Sequence, residues 1–209
     1  MNSEGSKKYI LMGAGGHASV LLDIMRMLEY NIYGVCDPSF IDTNNKWNDL
    51  KLLNSDEYVL SLDPDEFNIV NGIGVLPGNE MRIMLQKKID DSNLLSPTLI
   101  HPSASISSKA HLSSNSVQVM SGVVIQTGSK ILANTIVNTS ASIDHDCLID
   151  KNVTISPGVN ICGGVIVEEN VFIGAGATII QGVHIKKNSI IGAGTTVLKD
   201  VSEGSKIIN

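Results

Sequence analysis

"VTISPGVNICGGVIVEENVFIGAGATI", residues 153–179, places Ile or Val at every sixth position: Ile155, Ile161, Val167, Ile173 and Ile179. The beat holds from Val119 to Val197, and four residues after each member comes a small side chain or Val, from Val123 to Val201. A helix turns through about 600° in six residues, so it would scatter these side chains over all its faces. A flat strand would repeat every two. A chain that runs straight briefly and bends once per six residues sends one large and one small side chain inward from each flat face. Three such faces close a prism of about 18 residues per coil, with roughly five to six coils in this half. Gly158, Gly174, Gly176, Gly192 and Gly194 are the expected bends. Ile100, Ile106 and Leu112 keep the beat one residue out of phase, so one extra residue is expected near 117.

Upstream the period is different. "KYILMG", "NIYGVCD" and "FNIVNGIG" read as strands, whereas "ASVLLDIMRMLEY" and "NEMRIMLQKKI" place apolar residues three and four apart. Alternating strands and helices predict a parallel sheet with ligands gathered beyond its carboxyl ends. Two domains are therefore expected, 1–97 and 98–209.

The 209 residues carry 43% hydrophobic and 17% charged side chains, a globular composition with room for two cores. A net charge of -6 without basic runs argues against a nucleic-acid partner. The start, "MNSEGSKKYILMGAGG", has too few apolar residues for a leader or membrane span, so a cytoplasmic protein is expected. Cys36, Cys147 and Cys162 lack CxxC spacing and read as small buried thiols.

Two stretches carry chemistry. In "SASIDHDCLID", residues 140–150, His145 stands between Asp144 and Asp146 within a run of small and aliphatic residues. Eighteen-residue coils stack it between Thr127 and Gly163, so a base and a backbone N–H unobstructed by a side chain share one corner. Either aspartate could orient the ring. A solvated corner is the competing reading. His101, His111 and His184 read as structural, and one central histidine is too few for a metal. "GAGGHA", residues 13–18, follows a strand and opens a helix, the context in which backbone N–H groups meet a phosphate; Asp37 ends the next strand. Alone, this half would also suit a dinucleotide.

The hexad ladder with "FIGAGA" and "IIGAGT" resembles the hexapeptide-repeat acyltransferases. "MGAGGHA", "VNGIG", "LIHPSA", "VNTSASIDHDCLI" and "ISPGVNICGGV" extend the likeness, over about residues 8–203, to bacterial sugar-nucleotide acetyltransferases of the sialic-acid and bacillosamine type. The resemblance implies a Rossmann-like α/β domain followed by a left-handed parallel β-helix, assembled as a homotrimer with active sites between neighbouring prisms. It implies transfer from acetyl-CoA to a nucleotide-linked amino sugar in surface glycan synthesis, directly, with His145 as general base, Asp146 as its orienting carboxylate and no metal. By the same likeness Gly13, Gly15, Gly16, His17, Asp37, Asn71 and Gly72 line the nucleotide-sugar cleft, and Gly163, Gly174, Ala175 and Ala193 border the pantetheine arm. O-acetylation of a sialic-acid-like sugar shares all these residues; a non-catalytic nucleotide-binding β-helix needs none of the chemistry. Two departures stand out. Thr154 occupies a place where many relatives have a second histidine, and a Gly-x-Pro-Ala-Lys tail does not follow "DVSEGSKIIN".

Overall fold

The structure, a computed structural model, describes residues 7–39 and 47–208; the polar start before Lys7 and the final Asn209 lie outside them. The chain divides into two compact units between Pro97 and Thr98. Among the described residues no helix is long and apolar enough to cross a membrane.

The first unit contains β1 (Lys8–Met12), α1 (Gly16–Met27), β2 (Ile32–Cys36), β3 (Lys51–Leu53), α2 (Asp56–Leu60), β4 (Phe67–Asn71) and α3 (Met81–Asp91). All strands run parallel in the order β3-β2-β1-β4. The order reverses between β1 and β4, so the loops after Met12 and Asn71 flank the point where such sheets open a ligand crevice. Helix α1 buries Ala18, Leu21, Leu22 and Met25, three and four residues apart, as one apolar face requires. Helix α3 buries Arg82, Leu85, Gln86 and Ile89 at the same spacing, so half of its inward face is polar. Neither β3 nor α2 is evident in the sequence pattern. The strand fully encloses only Leu53, and the five-residue helix only Val59.

In the second unit two-residue strands form three parallel sheets of seven, six and five strands, the walls of a triangular parallel β-helix. Successive rungs are 18 residues apart, as in Lys130, Leu148, Ile166 and His184. The first coil takes 19, pairing Ile100 with Val119 and Ile106 with Ile125. Ser116, at φ 55°, lies in the segment that absorbs the extra residue. The second residue of each rung points inward, and Ile131, Ile143, Ile149, Ile155 and Ile173 are fully buried. Each such side chain contributes about 1.5–3 kcal/mol by leaving water.

The bends are more regular than the glycines alone imply. Every sixth residue from Gly122 to Gly194 has a positive φ, and each is Gly, Asn, Ser or Asp, the residues that reach the left-handed region most readily. Gly158, Gly176 and Gly194 are among them, but Gly174 and Gly192 are not. A Cβ on Gly174 would stand 2.5 Å from the Ala193 nitrogen, so this glycine serves close stacking of coils rather than bending. At one corner the turn residues are asparagines, and Asn134, Asn152, Asn170 and Asn188 pass amide hydrogen bonds up the column at 2.8–3.1 Å.

Candidate active site

His145 lies in the turn joining the strand Ser142–Ile143 of the six-stranded sheet to the strand Leu148–Ile149 of the five-stranded sheet. The coil below anchors that turn. The buried Ser129 hydroxyl donates to the Asp144 carbonyl at 2.6 Å and accepts from the Cys147 N–H at 3.0 Å, holding both ends of the corner. Asp144 spends a carboxylate oxygen on the His145 backbone N–H at 2.8 Å. Asp146, at φ 57°, brings its Oδ2 to 2.9 Å from the ring Nδ1. Of the two aspartates, it is Asp146 that meets the imidazole. Glycines make room on both sides, because a Cβ on Gly128 would overlap Asp146 Oδ1, and one on Gly163 would stand 2.5 Å from His145 Nε2. Among the described residues neither Nε2 nor the Gly163 N–H has a hydrogen-bond partner.

The hydrogen bond to Asp146 and the charge of Asp144 raise the His145 pKa above its ordinary value of 6.5. The ring is 56% exposed, so solvent moderates the effect. Because the folded value is the higher one, the pair adds stability that is fully present below pH 6.5 and is lost as pH rises through the raised value. Only the neutral ring can accept a proton, so the acidic limb of the rate profile should follow this group. Asp146→Asn is expected to move that limb to lower pH and to slow turnover about tenfold or more, because the ring loses its orienting partner. A kcat–pH profile of the two proteins checks both effects.

The neighbouring cysteine is not placed to act as a nucleophile. Cys147 is 1% exposed, its Sγ donates to the Cys162 carbonyl at 3.2 Å, and burial pushes its pKa up. Thr154 is 5% exposed within its rung. His184 Nε2 lies 2.7 Å from Glu168 Oε1, a pair the sequence pattern did not suggest. Among the described residues no cluster of three metal-ligating side chains occurs.

Of the residues proposed along the pantetheine arm, Gly163 shares the His145 corner. Ala175 and Ala193 are exposed one above the other on a different corner, between the seven- and six-stranded sheets, linked by the Gly194 N–H to the Ala175 carbonyl at 2.8 Å. The two corners are the two edges of the six-stranded sheet. Gly174 is buried under the next coil, close against the Gly192–Ala193 backbone.

In the first unit, Gly13 takes φ 102°, and Gly15 and Gly16 have open space where a Cβ would stand. The amino terminus of α1 carries no side-chain cap. Asp37 is drawn to this loop. Its Oδ2 accepts the Ala14 N–H at 3.0 Å and its Oδ1 the Ser39 N–H at 3.1 Å. With Ala14, Val35, Leu52, Leu53 and Asn54 it lines a cleft of about 240 Å³. His17, half-buried, packs against Gly74. Asn71 and Gly72 have other roles. The Asn71 side chain is fully buried, donating to the Arg82 carbonyl and to Gln86, and Gly72 is the close-packing residue between β1 and β4, where a Cβ would stand 2.8 Å from the Met12 oxygen. Neither is among the residues lining the cleft beside Asp37.

A triangular β-helix of hexads with a histidine at one corner defines a hexapeptide-repeat transferase. The chain matches the PglD N-terminal domain family over residues 8–89, the bacterial transferase hexapeptide family over 146–181 and the hexapeptide repeat of succinyl-transferase over 164–199. It is similar to the acetyltransferase domain of PglB from Neisseria gonorrhoeae, solved in complex with acetyl coenzyme A, at 31% identity and TM-score 0.86, over 97% of this chain and 96% of that one. It is also similar to PerB from Caulobacter crescentus, solved with CoA and GDP-perosamine, at 30% identity and TM-score 0.81, over 93% and 90%. WeeI from Acinetobacter baumannii shares the fold at 20% identity and TM-score 0.85, over 97% of each chain. The chain belongs to the hexapeptide-repeat sugar-nucleotide acetyltransferases, and it is an acetyltransferase.

Proposed function

We propose that this protein transfers the acetyl group of acetyl-CoA directly to the amine of a nucleotide-linked amino sugar, in the cytosol, for glycan or polysaccharide assembly. The observation that carries this reading is the His145 ring, held by Asp146 at Nδ1, with Nε2 turned to the bare backbone of Gly163. The amine nitrogen attacks the thioester carbonyl while Nε2 takes its proton. The Gly163 N–H donates to the oxygen as it becomes an alkoxide. Collapse breaks the C–S bond, and the proton held by the ring passes to the departing CoA sulfur. The buried Cys147 supports direct transfer over an acyl-cysteine route. The bound ligands of the PglB domain and PerB support the donor and acceptor classes.

We propose a homotrimer as the assembly in which this site works. The His145–Gly163 corner and the Ala175–Ala193 corner lie at opposite edges of one sheet, which supports a site shared between chains. The test is thiol release from acetyl-CoA with UDP-, dTDP- and GDP-linked 4-amino sugars and with sialic acids as acceptors. Release that requires a nucleotide-linked amine supports the reading. Release with sialic acids alone moves the acceptor to a hydroxyl, and no release with any acceptor removes catalysis.

A further inference from the structure

Among the described residues Arg82 is the one charged side chain in the buried set, at 2% exposure, and it faces inward from the first turn of α3. Its Nη1 donates to the Asn71 and Ile73 carbonyls, both at 3.0 Å. Its Nε and Nη2 are buried without any hydrogen-bond partner. Among the described residues no carboxylate pairs with it, and burial alone lowers its pKa to about 9, so it remains a cation at neutral pH. A buried cation without a counter-charge is unfavourable, and strongly perturbed ionisable groups cluster at functional sites.

The location of the charge indicates which anion. The two carbonyls that Arg82 clamps flank Gly72, whose carbonyl carbon lies 3.2 Å from the position of a Gly13 Cβ; two residues on, a Cβ at Gly74 would stand 3.1 Å from the His17 Cβ. The guanidinium thus supports, through a single peptide turn, the loop Gly13–His17 at the uncapped amino terminus of the twelve-residue α1. The helix dipole and the arginine charge then act with the same sign on whatever occupies the open space over Gly15 and Gly16.

We propose that Arg82 is a positioning residue for the nucleotide-linked substrate, clamping the 71–73 turn behind the phosphate loop and taking its missing counter-charge from the substrate's diphosphate. This rests on the reading that the first unit holds a nucleotide sugar. The experiment measures binding of UDP, dTDP, GDP and CoA to the full chain by calorimetry, for wild type, Arg82→Lys and Arg82→Gln. The Gln variant keeps donors for the carbonyls without the charge; the Lys variant keeps the charge. The preferred nucleoside diphosphate is expected to bind Arg82→Gln at least tenfold more weakly, with Lys recovering most of the loss and CoA affinity unchanged. In turnover, KM for the nucleotide sugar rises while KM for acetyl-CoA does not. Wild-type affinity in Arg82→Gln, even with a lowered Tm, reduces Arg82 to a packing role and overturns the proposal. If wild type binds CoA but no nucleoside diphosphate, the underlying reading of this unit fails first and the proposal with it. If Arg82→Gln does not fold, Arg82→Lys with tenfold weaker binding also overturns it, since the charge is intact.

Discussion

His145→Ala is expected to slow acetyl transfer by about 10²- to 10⁴-fold, the usual contribution of a positioned general base, while leaving Tm within a degree or two of wild type. The stability side follows from exposure. The ring is 56% exposed and, among the described residues, its polar partner is the still more exposed Asp146, so its removal opens no cavity and strands no buried group. The activity side follows from the absence of a substitute. Within the corner, Asp144 accepts a backbone N–H and Cys147 is enclosed, leaving Nε2 as the nitrogen open to take a proton. Steady-state thiol release, with CoA binding measured in parallel, gives the comparison. Turnover within a factor of three of wild type would remove the base from the mechanism.

Gly163→Ala should be nearly as damaging, for a different reason. The added methyl would lie 2.5 Å from His145 Nε2 and 2.6 Å from Cε1, inside any permitted contact, so the ring must swing outward and loosen its bond to Asp146. A displacement on the order of 1 Å at a reacting group can cost about a hundredfold, and that loss is expected in kcat/KM. The backbone itself accepts alanine, because Gly163 is not among the positive-φ residues. Its neighbour Gly164, at φ 67° with open space around it, provides the control: alanine there strains the turn by about 1–2 kcal/mol without touching the ring. Rate loss at 163 with little change in Tm, against a lowered Tm at 164, is the expected contrast. A fully active Gly163→Ala would show that the ring is free to work elsewhere.

The β-helix was legible because its rule is local: each inward Ile or Val answers to its own six-residue unit, and even the slip near Ser116 appears as a phase change in the letters. The bends were partly legible. Asn134, Ser140, Asp146 and Asn152 mark them as faithfully as glycines do, but a search for glycine alone passes over these and picks up Gly174, which is small because another coil rests on it. The first unit was harder for the opposite reason, since its polar groups are satisfied at a distance in sequence. Asn71 is held by Gln86, fifteen residues on, a pairing the letters do not announce, and nothing in "MRIMLQ" shows that its arginine faces inward. Likewise Asp144 and Asp146 are equivalent as letters. The left-handed φ at 146 turns that carboxylate to the ring.

Because every rung of the prism touches only the rungs directly above and below, loosening of an inner coil must pass through its neighbours, coil by coil. The turn bearing His145 has the Thr127 turn beneath it and the Gly163 and Gln181 turns above, which makes it an interior link of that chain of neighbours. Loss of order at the strand Lys206–Ile207 would therefore reach the His145 turn only after the coils between them had loosened.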